Sequence, residues 1–213
     1  MAVLRVESLV YGADDVSAGV RYFEEWGLEK VESGAKGAVF RTAENQTIHL
    51  RNAADPTLPS APEGSNTMRE ATWGVDSAAS LEKLGAALAK DRDVKRDPDG
   101  TIHARDDSGF ALAFKVAKRT PAHQEAPKFN VNDVEPRVNH IVDRATDRRA
   151  RPIRIGHIVY TIPSDGKEAA TDFYLKRLGF NLSDRSKDLG DFIRVPGLAD
   201  HHSLFLLHRA NKA

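Results

Sequence analysis

One pattern recurs along this chain and limits its fold more than any other: a strand, a helix and three short strands, read three times. In the first copy, residues 4–11 alternate apolar and polar side chains as a half-buried strand does, and Gly12-Ala13-Asp14-Asp15 reads as a turn ending in a helix N-cap. Val20, Tyr22, Phe23 and Trp26 then recur at helical spacing, Gly27 closes the helix, and strands are predicted at 29–32, 37–42 and 47–51. The order returns late in the chain. Residues 155–162 are strand-like, Pro163-Ser164-Asp165-Gly166 is a turn, and Ala169, Phe173, Tyr174 and Leu178 form a helical stripe that stops at Gly179. Strands follow near 180–184, 191–195 and 202–208. A middle copy has its first strand at 71–75, a Ser77-capped helix bearing Leu81, Leu84, Ala87 and Leu88, and strands near 94–96, 101–105 and 111–116. Asp106-Asp107-Ser108-Gly109 makes a tight hairpin into the last of these. The expected architecture is α+β: residues 1–118 hold two units, 119–152 form a linker, and 153–213 hold a third unit that is half of a second domain.

Composition narrows the chemistry. The 213 residues carry 31 Lys+Arg and 31 Asp+Glu, so the formal charge is zero and nothing electrostatic favours nucleic acid or an anionic membrane as partner. The cluster Arg144, Arg148, Arg149, Arg151 and Arg154 is interleaved with Asp143 and Asp147 and reads as solvated linker. There is no cysteine, so any metal must be held by imidazole and carboxylate. The N-terminus has no signal-peptide pattern, and no apolar stretch nears the ~20 residues of a membrane span. A soluble, cytoplasmic protein is expected, and the sequons at Asn45 and Asn181 are read as chance.

The usable chemistry is concentrated in the third copy. His157 stands in Arg154-Ile155-Gly156-His157-Ile158-Val159, and His201-His202 precede Ser203-Leu204-Phe205. Neutral imidazoles on strands are good ligands for divalent metals and can move protons near neutral pH. His201 and His202 face opposite sides if both lie on a strand, so only one can look into a cavity. Parity with Leu204 and Leu206 favours His202. His49, His103, His123, His140 and His208 have no partner at metal-ligand spacing, and Trp26 and Trp73 are expected in the core.

Tandem βαβββ units resemble the vicinal oxygen chelate superfamily, which includes glyoxalase I, the fosfomycin and bleomycin resistance proteins, and the type I extradiol ring-cleaving dioxygenases. Glu135-Pro136-Arg137-Val138-Asn139 followed by Arg154–Val159 is similar to the dioxygenases' entry into their catalytic domain. Phe173-Tyr174-Leu175 with Leu178-Gly179-Phe180 resembles their helix end, and His201-His202-Ser203-Leu204 their histidine-bearing strand. The resemblance implies an Fe(II) site of two histidines and one carboxylate (Mn(II) being possible), with a catechol-type aromatic diol and dioxygen as reactants. It makes His157 a metal ligand and His202 or His201 an acid/base. The other histidine and the glutamate belong to a fourth unit that these residues do not include. Ser8 and Ala113 occupy the matching ligand positions of the first two units, which implies a metal-free first domain.

Two other classes stay open. One is a non-catalytic small-molecule-binding or interaction protein on the same fold; the other is a glyoxalase-like lyase or isomerase with its site shared between subunits. An unpaired sheet edge in the half-domain is expected to drive self-association into a homo-oligomer.

Overall fold

The computed structural model describes residues 3–62, 66–122, 130, 132–133, 135 and 151–209. Most of the expected linker, including Pro136–Asn139, Arg144, Arg148 and Arg149, lies outside the described residues, as do His123 and His140.

The first unit comprises β1 (Val3–Ala13), α1 (Val16–Glu25), β2 (Glu29–Gly34), β3 (Gly37–Arg41) and β4 (Thr47–Asn52). The second comprises β5 (Thr67–Val75), α2 (Ala78–Leu88), β6 (Lys95–Arg96), β7 (Ile102–Arg105) and β8 (Ala111–Val116). The third comprises β9 (Ile158–Pro163), α3 (Lys167–Asp172) with a π-helical continuation over Phe173–Arg177, β10 (Asn181–Ser186), β11 (Gly190–Arg194) and β12 (Leu204–Arg209). Side chains start two of the helices: Asp15 accepts from the Ala18 amide at 2.8 Å and Ser77 from the Ser80 amide at 3.2 Å.

All three units share one strand order, first strand beside last. Units one and two join through their first strands into an eight-stranded sheet, β2-β3-β4-β1-β5-β8-β7-β6, and unit three forms the separate sheet β10-β11-β12-β9. β1 and β5 run antiparallel, whereas each first strand is parallel to the last strand of its own unit. The registers coincide, pairing Tyr11 with Leu50, Trp73 with Phe114 and Tyr160 with Leu206. Glycine is required at one matching place in units one and three: a Cβ on Gly37 or Gly190 would lie 2.0 Å from the carbonyl oxygen of Leu50 or Leu206, with φ of +145° and +155°.

The apolar core spans the second and third units. One cluster runs without a break from Trp73, Leu84, Leu88 and Phe114 of the second unit to Tyr160, Phe173, Tyr174 and Phe180 of the third. Trp73 meets Phe180 edge-on at 5.1 Å, and Phe110 stacks on Tyr160 at 4.1 Å. The Tyr174 hydroxyl donates to Asp106 Oδ2 at 2.8 Å, and Arg177 pairs with Asp91 at 2.6 Å. A smaller cluster of Phe23, Leu28, Phe40, Ile48 and Leu50 holds α1 on its own sheet.

Two expectations are corrected. Trp73 is buried as predicted, but Trp26 is 54% exposed and stacks with the 60% exposed Tyr22 one turn earlier. Those two share the outer face of α1, while Phe23, about 100° round the helix, takes the core position. The site histidines are also not on strands: His157 precedes β9, and His201 and His202 precede β12. The chain before β9 is held by the first unit instead. The amides of Ala43 and Glu44 donate to the carbonyls of Pro152 and Ile153, at 3.2 and 2.9 Å.

Candidate functional site

Parallel pairing of β9 with β12 sets the site. Ile158 pairs with Leu204, and the Ile158 amide donates to the Ser203 carbonyl at 3.1 Å, so the residues just ahead of both strands emerge side by side. Gln46 anchors the approach to β9: its Oε1 accepts from the Ile155 amide at 2.8 Å, and its Nε2 donates to the Val6 carbonyl at 2.6 Å. Arg154 ties the two approaches together, its guanidinium 2.7 Å from Asp200 Oδ1.

The three predicted histidines meet there. The rings of His157 and His202 lie 4.5 Å apart, tilted by 41°, and His202 Nδ1 is 3.1 Å from His201 Nδ1. His157 and His201 are exposed and His202 half-buried. Phe192 of β11 packs against His202 at 5.1 Å and His201 at 5.3 Å, and stacks at 4.3 Å on Phe205 of β12. The sequence reading gives neither phenylalanine a role in the site. Pairing opposite each other across β11 and β12 brings them together, and no local spacing announces that. Burial, then the neighbouring His157 and His201, hold the His202 imidazole below its usual pKa, which keeps it neutral near pH 7.

The donor set is partial. His157 offers an accessible imidazole with His202 beside it, but among the described residues no group of three His, Asp or Glu side chains converges as a metal site requires. Register places Ser8 and Glu70 where unit three has His157. Glu70 is engaged otherwise: it lies 2.9 Å from His103 Nδ1, whose Nε2 lies 3.1 Å from Asp97. The hydrogen bond to Glu70 leads in raising the His103 pKa to about 9, against the opposing effect of burial. His103 is therefore an imidazolium held between two carboxylates. Beside His157 a groove of about 390 Å³ opens between α1 and residues 152–157, with Tyr11, Tyr22, Trp26 and Ile155 among its walls.

No family model matches the chain. Metapyrocatechase 2 of Cupriavidus necator is 31% identical over 127 residues, covering 60% of this chain and 38% of that protein. The chain thus spans well under half the length of this relative. The Mn(II)-bound glyoxalase from Novosphingobium aromaticivorans superposes with a TM-score of 0.67 at 22% identity, over 98% of this chain and 62% of that one. The 2,3-dioxygenase LapB from Pseudomonas sp. KL28 gives 0.68 at 18% identity, over 100% of this chain and 72% of that one. Three βαβββ units of one topology, with this likeness to solved structures, show an α+β protein with the vicinal oxygen chelate fold.

Proposed function

We propose that this chain belongs to an extradiol dioxygenase that opens catechol-type aromatic rings with dioxygen, using Fe(II) or, alternatively, Mn(II). The observation that carries the reading is the meeting of His157 and His202, from the approaches to two different strands, beside the Phe192–Phe205 stack. The likeness to a metapyrocatechase supports it. On this reading His157 supplies one metal ligand, and the remaining donors come from outside the described residues. His202, neutral and half-buried, takes and holds a proton at its ring. Phe192 and Phe205 give an aromatic ring an apolar surface and keep water from one side of the imidazole.

The test is metal binding by equilibrium dialysis under anaerobic conditions, followed by exposure to catechol and air. The expected result is Fe(II) or Mn(II) uptake that His157→Ala abolishes; uptake indifferent to that substitution would overturn the reading. A yellow ring-cleavage product would extend it to activity of the chain itself. The lack of a three-donor group among the described residues favours a second reading, a module that binds aromatic diols without cleaving them. Diol binding with no ring opening in metal-loaded protein would select it. We also read self-association into the outer edge of β9, which has no strand partner among the described residues; sedimentation as a monomer at high concentration would refute that.

A further inference from the structure

His201 and His202 are joined through like nitrogens, Nδ1 to Nδ1, at 3.1 Å. Two neutral imidazoles at that distance share one proton, so one Nδ1 donates and the other accepts. Exposure decides which. The His201 ring is solvated, and a solvated neutral imidazole favours the Nε2–H form, which leaves a lone pair on Nδ1. His202 must then donate from Nδ1, and its own lone pair is moved to Nε2. That nitrogen has no hydrogen bond to any described residue, and the ring carrying it lies 4.5 Å from His157 and 5.1 Å from Phe192.

We propose that His201 is a positioning residue that holds His202 in the Nδ1–H tautomer, so that the basic Nε2 is the nitrogen available beside His157. The opposite arrangement would present an N–H at Nε2, an acid where a base is needed first. With an aromatic diol in place, one phenolic O–H breaks and one N–H forms at His202 Nε2. The phenolate keeps the electron pair, and the resulting imidazolium keeps its Nδ1–H bond to His201. The use made of Nε2 rests on the dioxygenase reading, whereas the tautomer does not.

The experiment is long-range ¹H–¹⁵N correlation of the histidine rings in intact protein, in mildly alkaline buffer above the ordinary imidazole pKa of about 6.5. His202 should be mainly Nδ1–H in the wild type. His201→Leu should move it to mainly Nε2–H without changing the thermal midpoint, and His201→Asn, whose amide oxygen can accept near the Nδ1 position, should restore Nδ1–H. A wild-type His202 in the Nε2–H form, or a tautomer indifferent to His201→Leu, overturns the proposal. Because the readout needs neither metal nor turnover, failure of ring cleavage would leave this assignment standing, and failure of the tautomer test would leave the dioxygenase reading standing.

Discussion

Removing a single hydroxyl, by Tyr174→Phe, tests how the third unit is held on the second. Tyr174 is fully buried, and its hydroxyl donates to Asp106 Oδ2 at 2.8 Å across 68 residues of sequence. Asp106 is only 6% exposed, and its other oxygen accepts from the amides of Ser108 and Phe110 at 3.0 and 2.8 Å. The substitution leaves the ring packing unchanged but strands one oxygen of a buried carboxylate. A charge-assisted hydrogen bond lost in that way costs about 2–3 kcal/mol, or a fall of roughly 4–10 °C in Tm for a chain of this length. Burial already raises the Asp106 pKa, and the Tyr174 hydrogen bond acts against that rise. The variant carboxyl therefore titrates higher still, and its protonation limits the loss. Asp106 binds its proton more readily folded than unfolded, so its ionisation weakens the fold as pH rises through the folded pKa. The penalty of Tyr174→Phe should accordingly shrink as pH falls into the carboxylate range. In an Asp106→Asn background no charge is stranded, and Tyr174→Phe should cost less than half as much. The assay is urea unfolding followed by fluorescence of buried Trp73, which lies 5.1 Å from Phe180 of the third unit. A cost below about 0.5 kcal/mol, or equal costs in both backgrounds, would refute the reasoning.

Tyr160→Phe should behave oppositely. The Tyr160 hydroxyl is buried with no hydrogen-bond partner among the described residues, so its removal should leave stability unchanged or raise it by up to about 1 kcal/mol. A loss above that in the same unfolding assay would show that the hydroxyl is bonded. Gly190→Ala forces a Cβ against the Leu206 carbonyl and should cost roughly 2–4 kcal/mol, whereas Gly34→Ala, with nothing within 4 Å, should stay within about 0.5 kcal/mol by thermal melting. His103, with its pKa raised to about 9, stabilises the fold fully below its unfolded pKa of about 6.5 and loses that contribution as pH rises through about 9. Discounted for its partial exposure, the loss is on the order of 1 kcal/mol. Melting curves across that range should show it, and His103→Gln should flatten them; an unchanged slope would contradict the assignment.

The repeat was legible because the first two units write their helices in a local code: Asp15 and Ser77 as caps, and Leu81, Leu84 and Leu88 at helical spacing. The hairpin at Asp106–Gly109 was legible for the same reason, with Gly109 at φ +87°. Residues brought together by tertiary register were harder to read. Periodicity placed both Trp26 and Trp73 inside, yet an amphipathic helix does not state which of two adjacent aromatic faces meets the sheet. His157 and His202 were both singled out, but their meeting depends on parallel pairing of β9 with β12, and strand ends that stop short of both rings cannot be read from alternation. Glu70 and His103 form their ion pair across the curl of a sheet, with no spacing to announce it.

The unbroken apolar cluster between the second and third units bears on how the molecule comes apart. Trp73, Phe110, Tyr160 and Phe180 form a single seam, so a protease cut in the connecting segment would nick the chain without yielding two separable folded fragments. The third unit expressed alone would show water the aromatic side it now turns toward its neighbour, and the first two units, freed of it, would melt earlier than the intact chain.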